Sequence, residues 1–106
     1  MDNTETLLRA IFMTLGRATY PPEKVIQLVA PREDSDKSLV AYNLCDGNTA
    51  QADIAKKAKL DKANLSRAVA RWIEAGIAVR IGKDQLPLHL YPLSKDDLKR
   101  SGNKNA

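Results

Sequence analysis

Apolar residues recur at helical spacing through the first three quarters of the chain, then alternate. The first run sets Leu7, Leu8, Ile11, Phe12 and Leu15 along a helix over 5–16, with Thr4 as N-cap and Gly16 as its end. The stripe is wide for so short a helix. It predicts shared use, one edge on the core and the other on a second subunit. In "TYPPEKVIQLVAP", Pro21 and Pro22 suit a first helical turn, where a missing N–H costs nothing. Val25, Ile26, Leu28 and Val29 form that helix's apolar face, and Pro31 stops it. "REDSDK" is a polar connection. "SLVAYNLCDG" predicts a third helix, with Leu39, Val40, Tyr42, Leu44 and Cys45 apolar and Gly47 as its stop.

The second half begins with a short helix over 50–58 that turns Ile54, Ala55 and Ala58 inward, capped by Asn48 or Thr49. A turn through Lys59 and Leu60 follows. Asp61 caps the next helix, 62–75, which ends at Gly76. Leu65, Val69, Trp72 and Ile73 share one side of it. Lys62, Asn64, Ser66, Arg67, Ala70 and Arg71 lie on the other side or its flanks. Beyond Gly76 the period becomes two. Ile77, Val79 and Ile81 lead through the turn "GKDQ" into "LPLHLYPL", a hairpin in which Pro87 marks an edge strand. Ser94 caps a last short helix, "KDDLKR", and 101–106 form a flexible tail. The expectation is a mostly α fold with a small β-hairpin, one domain over 1–100.

The chain has 106 residues and net charge +4. Charge is unevenly spread: residues 49–83 hold 8 basic and 3 acidic side chains, and residues 1–48 hold 5 basic and 7 acidic. A local cationic surface of this kind points to a polyanion, most commonly nucleic acid; the plainer reading is a solvated helix face. One cysteine, Cys45, allows no internal disulfide and no cysteine-rich zinc site. With His89 as the single histidine, no metal cluster is expected. Cys45 reads as a small packed residue and His89 as an ordinary strand residue. The acidic start lacks a basic leader, and no apolar run approaches the length of a membrane span. A cytoplasmic protein is expected.

Two helices joined by a tight turn, the second basic outside, form a helix-turn-helix unit whose second helix can enter the major groove. That fits three N-terminal helices, a helix-turn-helix over 50–75 and a two-stranded wing over 77–91. Lys62, Asn64, Ser66 and Arg67 are candidates for base edges and nearby phosphates. Asparagine can pair bidentately with adenine, and arginine with guanine. Asn64 has a local alternative, satisfying a backbone group near the helix start, and Arg67 has a surface salt bridge. Arg71 lies one turn further on and is assigned to phosphate. Arg80 and Lys83 flank the wing. Lys56 and Lys57 read as phosphate contacts or as solvated charges. Trp72 anchors the helix from beneath.

The stretch "IAKKAKLDKANLSRAVARWIEAGIAVRIG" resembles the winged helix-turn-helix of MarR-like and ArsR-like regulators. The resemblance rests on Ile54–Ala55, Leu60, Leu65–Ser66–Arg67, and Trp72 followed by Glu74–Ala75–Gly76–Ile77. It covers about a third of the chain, and it implies a dimeric, DNA-binding transcriptional role. Lys59 stands where such proteins often have glycine. No long C-terminal dimer helix is visible, which leaves the helix over 5–16 or the tail for a homodimer. The metal-binding cysteines of many ArsR-type sensors are missing, so metal sensing is not implied. The expected function is sequence-specific binding of double-stranded DNA in transcriptional regulation, without a cofactor. The alternative is a winged-helix protein-interaction module in a larger complex. No glycine-rich phosphate loop, ligand cluster or nucleophile–base pair points to an enzyme.

Overall fold

The computed structural model describes residues 3–31 and 36–98. Helices α1 (Asn3–Thr19), α2 (Pro22–Val29), α3 (Asp36–Leu44), α4 (Gln51–Ala58) and α5 (Lys62–Glu74) precede strands β1 (Ala78–Ile81) and β2 (Leu86–His89). The protein is mostly helical with a two-stranded antiparallel sheet. A helical turn over 95–98 follows. Ser94 Oγ accepts from the Asp97 N–H, and Asp97 Oδ2 accepts from the Ser94 N–H, a reciprocal cap. Lys99, Arg100 and the tail expected over 101–106 lie outside the described residues, as do residues 32–35 of the polar connection.

Local chemistry places most helix ends. Pro22 opens α2, and α2 stops at Val29, two residues before Pro31. Gly76 takes φ +84° just past α5, a conformation that costs glycine little. Lys59 takes the left-handed conformation (φ 59°) that ends α4, and the Leu60 N–H closes the turn on the Ala55 carbonyl at 2.9 Å.

Val25, Val29, Ala41, Tyr42, Ile54, Leu65, Val69, Trp72 and Ile77 meet in one buried cluster. The Tyr42 ring stands edge-on to Trp72, centroids 5.4 Å apart. Three tyrosine hydroxyls then donate to backbone carbonyls across the fold: Tyr42 to Ile77, Tyr20 to Ala75 and Tyr91 to Tyr20. Two of these carbonyls sit at the exit of α5. They tie its end to Tyr20, between α1 and α2, and to Tyr42 of α3.

Several sequence expectations need correction. Thr4 does not cap α1, which starts at Asn3, and Gly16 does not end it. Gly16 is the buried residue of α1, and a Cβ there would collide with the Leu90 side chain. Glycine thus lets α1 lie close to the hairpin and run on to Thr19. Of the α1 stripe, Phe12 is the edge that packs half-buried against the core, beside Met13, while Leu7, Leu8, Ile11 and Leu15 are exposed. Val40 of α3 is also exposed. Neither Asn48 nor Thr49 caps α4. Both bind Asp46 Oδ1, and the N-cap is Ala50 with no side-chain hydrogen bond.

Pro87 lies in an edge strand, since β2 is one of only two strands. Its outer side carries a single bridge at Asp46, where Cys45 O accepts from the His89 N–H and Gly47 N–H donates to Pro87 O. The ladder ends at Pro87, so its absent donor is not needed. β1 pairs Ala78 with His89 and Ile81 with Leu86.

Candidate nucleic-acid interface

Asp61 starts α5: its Oδ2 accepts from the Asn64 N–H at 3.1 Å, and its carbonyl accepts from the Leu65 N–H. An acidic cap there satisfies an orphan donor and offsets the positive helix end. Leu65, Val69 and Trp72 are fully buried; Lys62, Asn64, Ser66, Arg67 and Arg71 are all exposed. The 100° helical step sets Ala63, Arg67 and Ala70 along the middle of the outer face. Lys62 and Ser66 border them on one side, Asn64 and Arg71 on the other. All of these residues are exposed. The two small residues permit close approach to a surface with Arg67 projecting between them.

The structure brings Asn64 and Arg67 together: Asn64 Oδ1 accepts from Arg67 Nη2. Asn64's side chain therefore does not cap the helix, since Asp61 does. Arg80 does not project from the hairpin as a free cation. Its guanidinium donates to Gln51 Oε1 at 3.2 Å and to the Gln85 carbonyl at 3.3 Å, tying β1 to the start of α4. Lys83 lies exposed in the turn. Gln51, Ala52, Lys62, Ala63 and Ser66 line an open cleft of about 380 Å³ between the start of α4 and α5. Gln51 and Ala52 were not anticipated as neighbours of this surface, because only the packing of α4 on α5 places them there. Lys56 and Lys57 are exposed on α4.

No family model, curated protein or solved structure matches the chain.

Beneath the surface, titratable groups are locked. Burial pushes the Cys45 thiol up to about 12, and Asp46 nearby adds to the shift, so the thiolate is not formed at neutral pH. Burial likewise raises the Tyr42 hydroxyl. His89 is buried, with Nδ1 3.0 Å from the Tyr42 carbonyl, which identifies Nδ1 as the protonated nitrogen. Burial holds its pKa below the usual imidazole value. Asp46 is held low: its modest burial is outweighed by donation from the Asn48 N–H and the Thr49 hydroxyl. Among the described residues no group of three or more His, Cys, Asp or Glu side chains is placed to hold a metal ion. No helix among them is long and apolar enough to cross a membrane.

Proposed function

We propose that the protein is a sequence-specific, double-stranded DNA-binding transcriptional regulator that acts in the cytoplasm through a winged helix-turn-helix. In this reading α4 and α5 are the helix-turn-helix, α5 enters the major groove, and the β1–β2 hairpin is the wing. One observation carries it: the outer face of α5 presents Lys62, Ser66, Arg67 and Arg71 to solvent, while Leu65, Val69 and Trp72 anchor it from a fully buried core. A groove lined with phosphates favours such a face, and a rigid anchor holds its register.

Arg67 reads a base edge, a role for which its planar fork suits guanine. Asn64, its hydrogen-bond partner, orients it or reads adenine beside it. Lys62, Arg71 and Lys83 meet phosphate. Arg80, bound to Gln51, meets a fourth phosphate at the start of α4, where helix N–H groups favour an anion. Ala63 and Ala70 permit contact with thymine methyl groups.

The test is selection of bound duplexes from a random pool, followed by titration of the enriched site and of random duplex. Enrichment of a defined sequence, with affinity that falls as salt rises, supports the reading. Absence of binding to any duplex at micromolar protein and low salt removes it, and leaves a protein-interaction module.

A further inference from the structure

Arg67 has one side-chain partner among the described residues, and that partner is Asn64. The surroundings of the arginine leave it no other. On a helix, side chains meet those three and four positions away. For Arg67 these are Ala63, Asn64, Ala70 and Arg71: two side chains without polar atoms, one like charge and one amide. The nearest acids along α5 are Asp61 and Glu74, each more than a turn away, and Asp61 is committed to capping the helix through the Asn64 N–H. Because Asp61 does the capping, the Asn64 side chain is released from the backbone and turns toward Arg67. A guanidinium carries donors only, so the amide meets it through its oxygen.

We infer that Asn64 is a positioning residue: it aims Arg67 at a guanine and does not itself read adenine. The assignment rests on the reading of α5 as the helix that enters the major groove, and it decides which base that helix demands. An asparagine that reads adenine presents its oxygen and nitrogen together to the N6 amine and N7. The Asn64 oxygen faces Arg67 instead. Arginine loses little by the pairing. Its planar fork holds more N–H groups than one partner uses, so a pair remains for guanine O6 and N7. A long side chain with no partner gives up rotamer freedom when it binds, and an amide at its side removes part of that loss beforehand. Ala63 and Ala70 flank Arg67 on the outer face, so neither competes for the base edge it meets.

The test starts from the duplex enriched from a random pool. An enriched site without a fixed guanine overturns the inference and leaves the DNA reading standing, whereas a chain that binds no duplex removes both. Replacing the fixed guanine by 7-deazaguanine deletes the N7 acceptor. Wild-type binding should weaken about fivefold or more, with no further loss in Arg67→Ala. Asn64→Ala should lower the preference for that site over random duplex by about fivefold, through the guanine position alone. Asn64→Asp keeps an acceptor oxygen beside Arg67 and removes the amide donors. Its carboxylate repels phosphate, so affinity should fall on both duplexes, yet the guanine preference should return to the wild-type ratio. All of these side chains are exposed, so circular dichroism should show the same helix content in each variant. Adenine reading gives the opposite pattern: Asn64→Ala relaxes an adenine position, Asn64→Asp does not restore it, and the guanine is untouched. That pattern overturns the inference, as does an Asn64→Ala protein with full guanine preference.

Discussion

If α5 binds DNA as proposed, replacing Arg71 with alanine separates phosphate contact from base contact. Arg71 lies one turn beyond Arg67, exposed and on the flank of the outer face of α5. Four cations are assigned to phosphate: Lys62, Arg71, Arg80 and Lys83. Each releases about 0.9 counterion, so log affinity should fall with log salt at a slope of about −3.6 per protomer. Raising salt from about 50 to about 200 mM then weakens wild-type binding roughly 150-fold. Arg71→Ala should bring the slope to about −2.7 and that loss to roughly 40-fold. At about 0.15 M salt the missing contact is worth about 1 kcal/mol, roughly a fivefold loss, on any sequence. Arg67→Ala should behave differently. It should cost about 1–3 kcal/mol at the preferred site and much less on random duplex, so the specificity ratio falls. Fluorescence anisotropy over a salt series, on both duplexes, measures all four quantities. An Arg71→Ala slope equal to the wild-type slope refutes the phosphate assignment. Equal losses on both duplexes for Arg67→Ala refute base reading.

Tyr42→Phe removes a buried hydroxyl that donates to the Ile77 carbonyl and accepts from the Leu90 N–H. It should cost about 1–2 kcal/mol and lower the melting midpoint by several degrees in circular dichroism, because both hydrogen bonds of the buried hydroxyl are lost at the exit of α5, while the Leu90 N–H and the Ile77 carbonyl keep each other as partners. Lys59→Gly relieves a left-handed lysine (φ 59°). It should raise stability by up to about 1 kcal/mol in urea unfolding; a loss would show that Lys59 stabilises the turn by other means. His89 stays neutral in the fold, with its pKa below the usual value, while the unfolded chain protonates as pH drops past about 6.5. Its contribution to stability is therefore full above that pH and lost as pH falls through the folded-state value. The melting midpoint should drop between neutral and mildly acidic pH, and less so in His89→Gln.

The sequence by itself determined which faces of the helices point inward. Leu65, Val69 and Trp72 recur at helical spacing against Lys62, Arg67 and Arg71, so burying one set exposes the other. It also placed Pro22 at the start of α2, Asp61 at the start of α5, Ser94 at the last turn and the hairpin after Gly76. These signals act over a few residues, where backbone donors and φ preferences are local. What lay between distant segments was decided only by the tertiary structure. Gly16 continues α1 instead of ending it because Leu90, far along the chain, packs where a side chain would be. Asn48 and Thr49 serve Asp46 and leave Ala50 to start α4. The edge at Pro87 carries a single bridge from Asp46, flanked by hydrogen bonds to Cys45 and Gly47. Arg80 turns back to Gln51 rather than out from the hairpin. The physical reason is common to all four. Spacing along a chain encodes which side of an element is apolar, but the partner of a polar group, or the neighbour of a glycine, depends on which elements the core brings together.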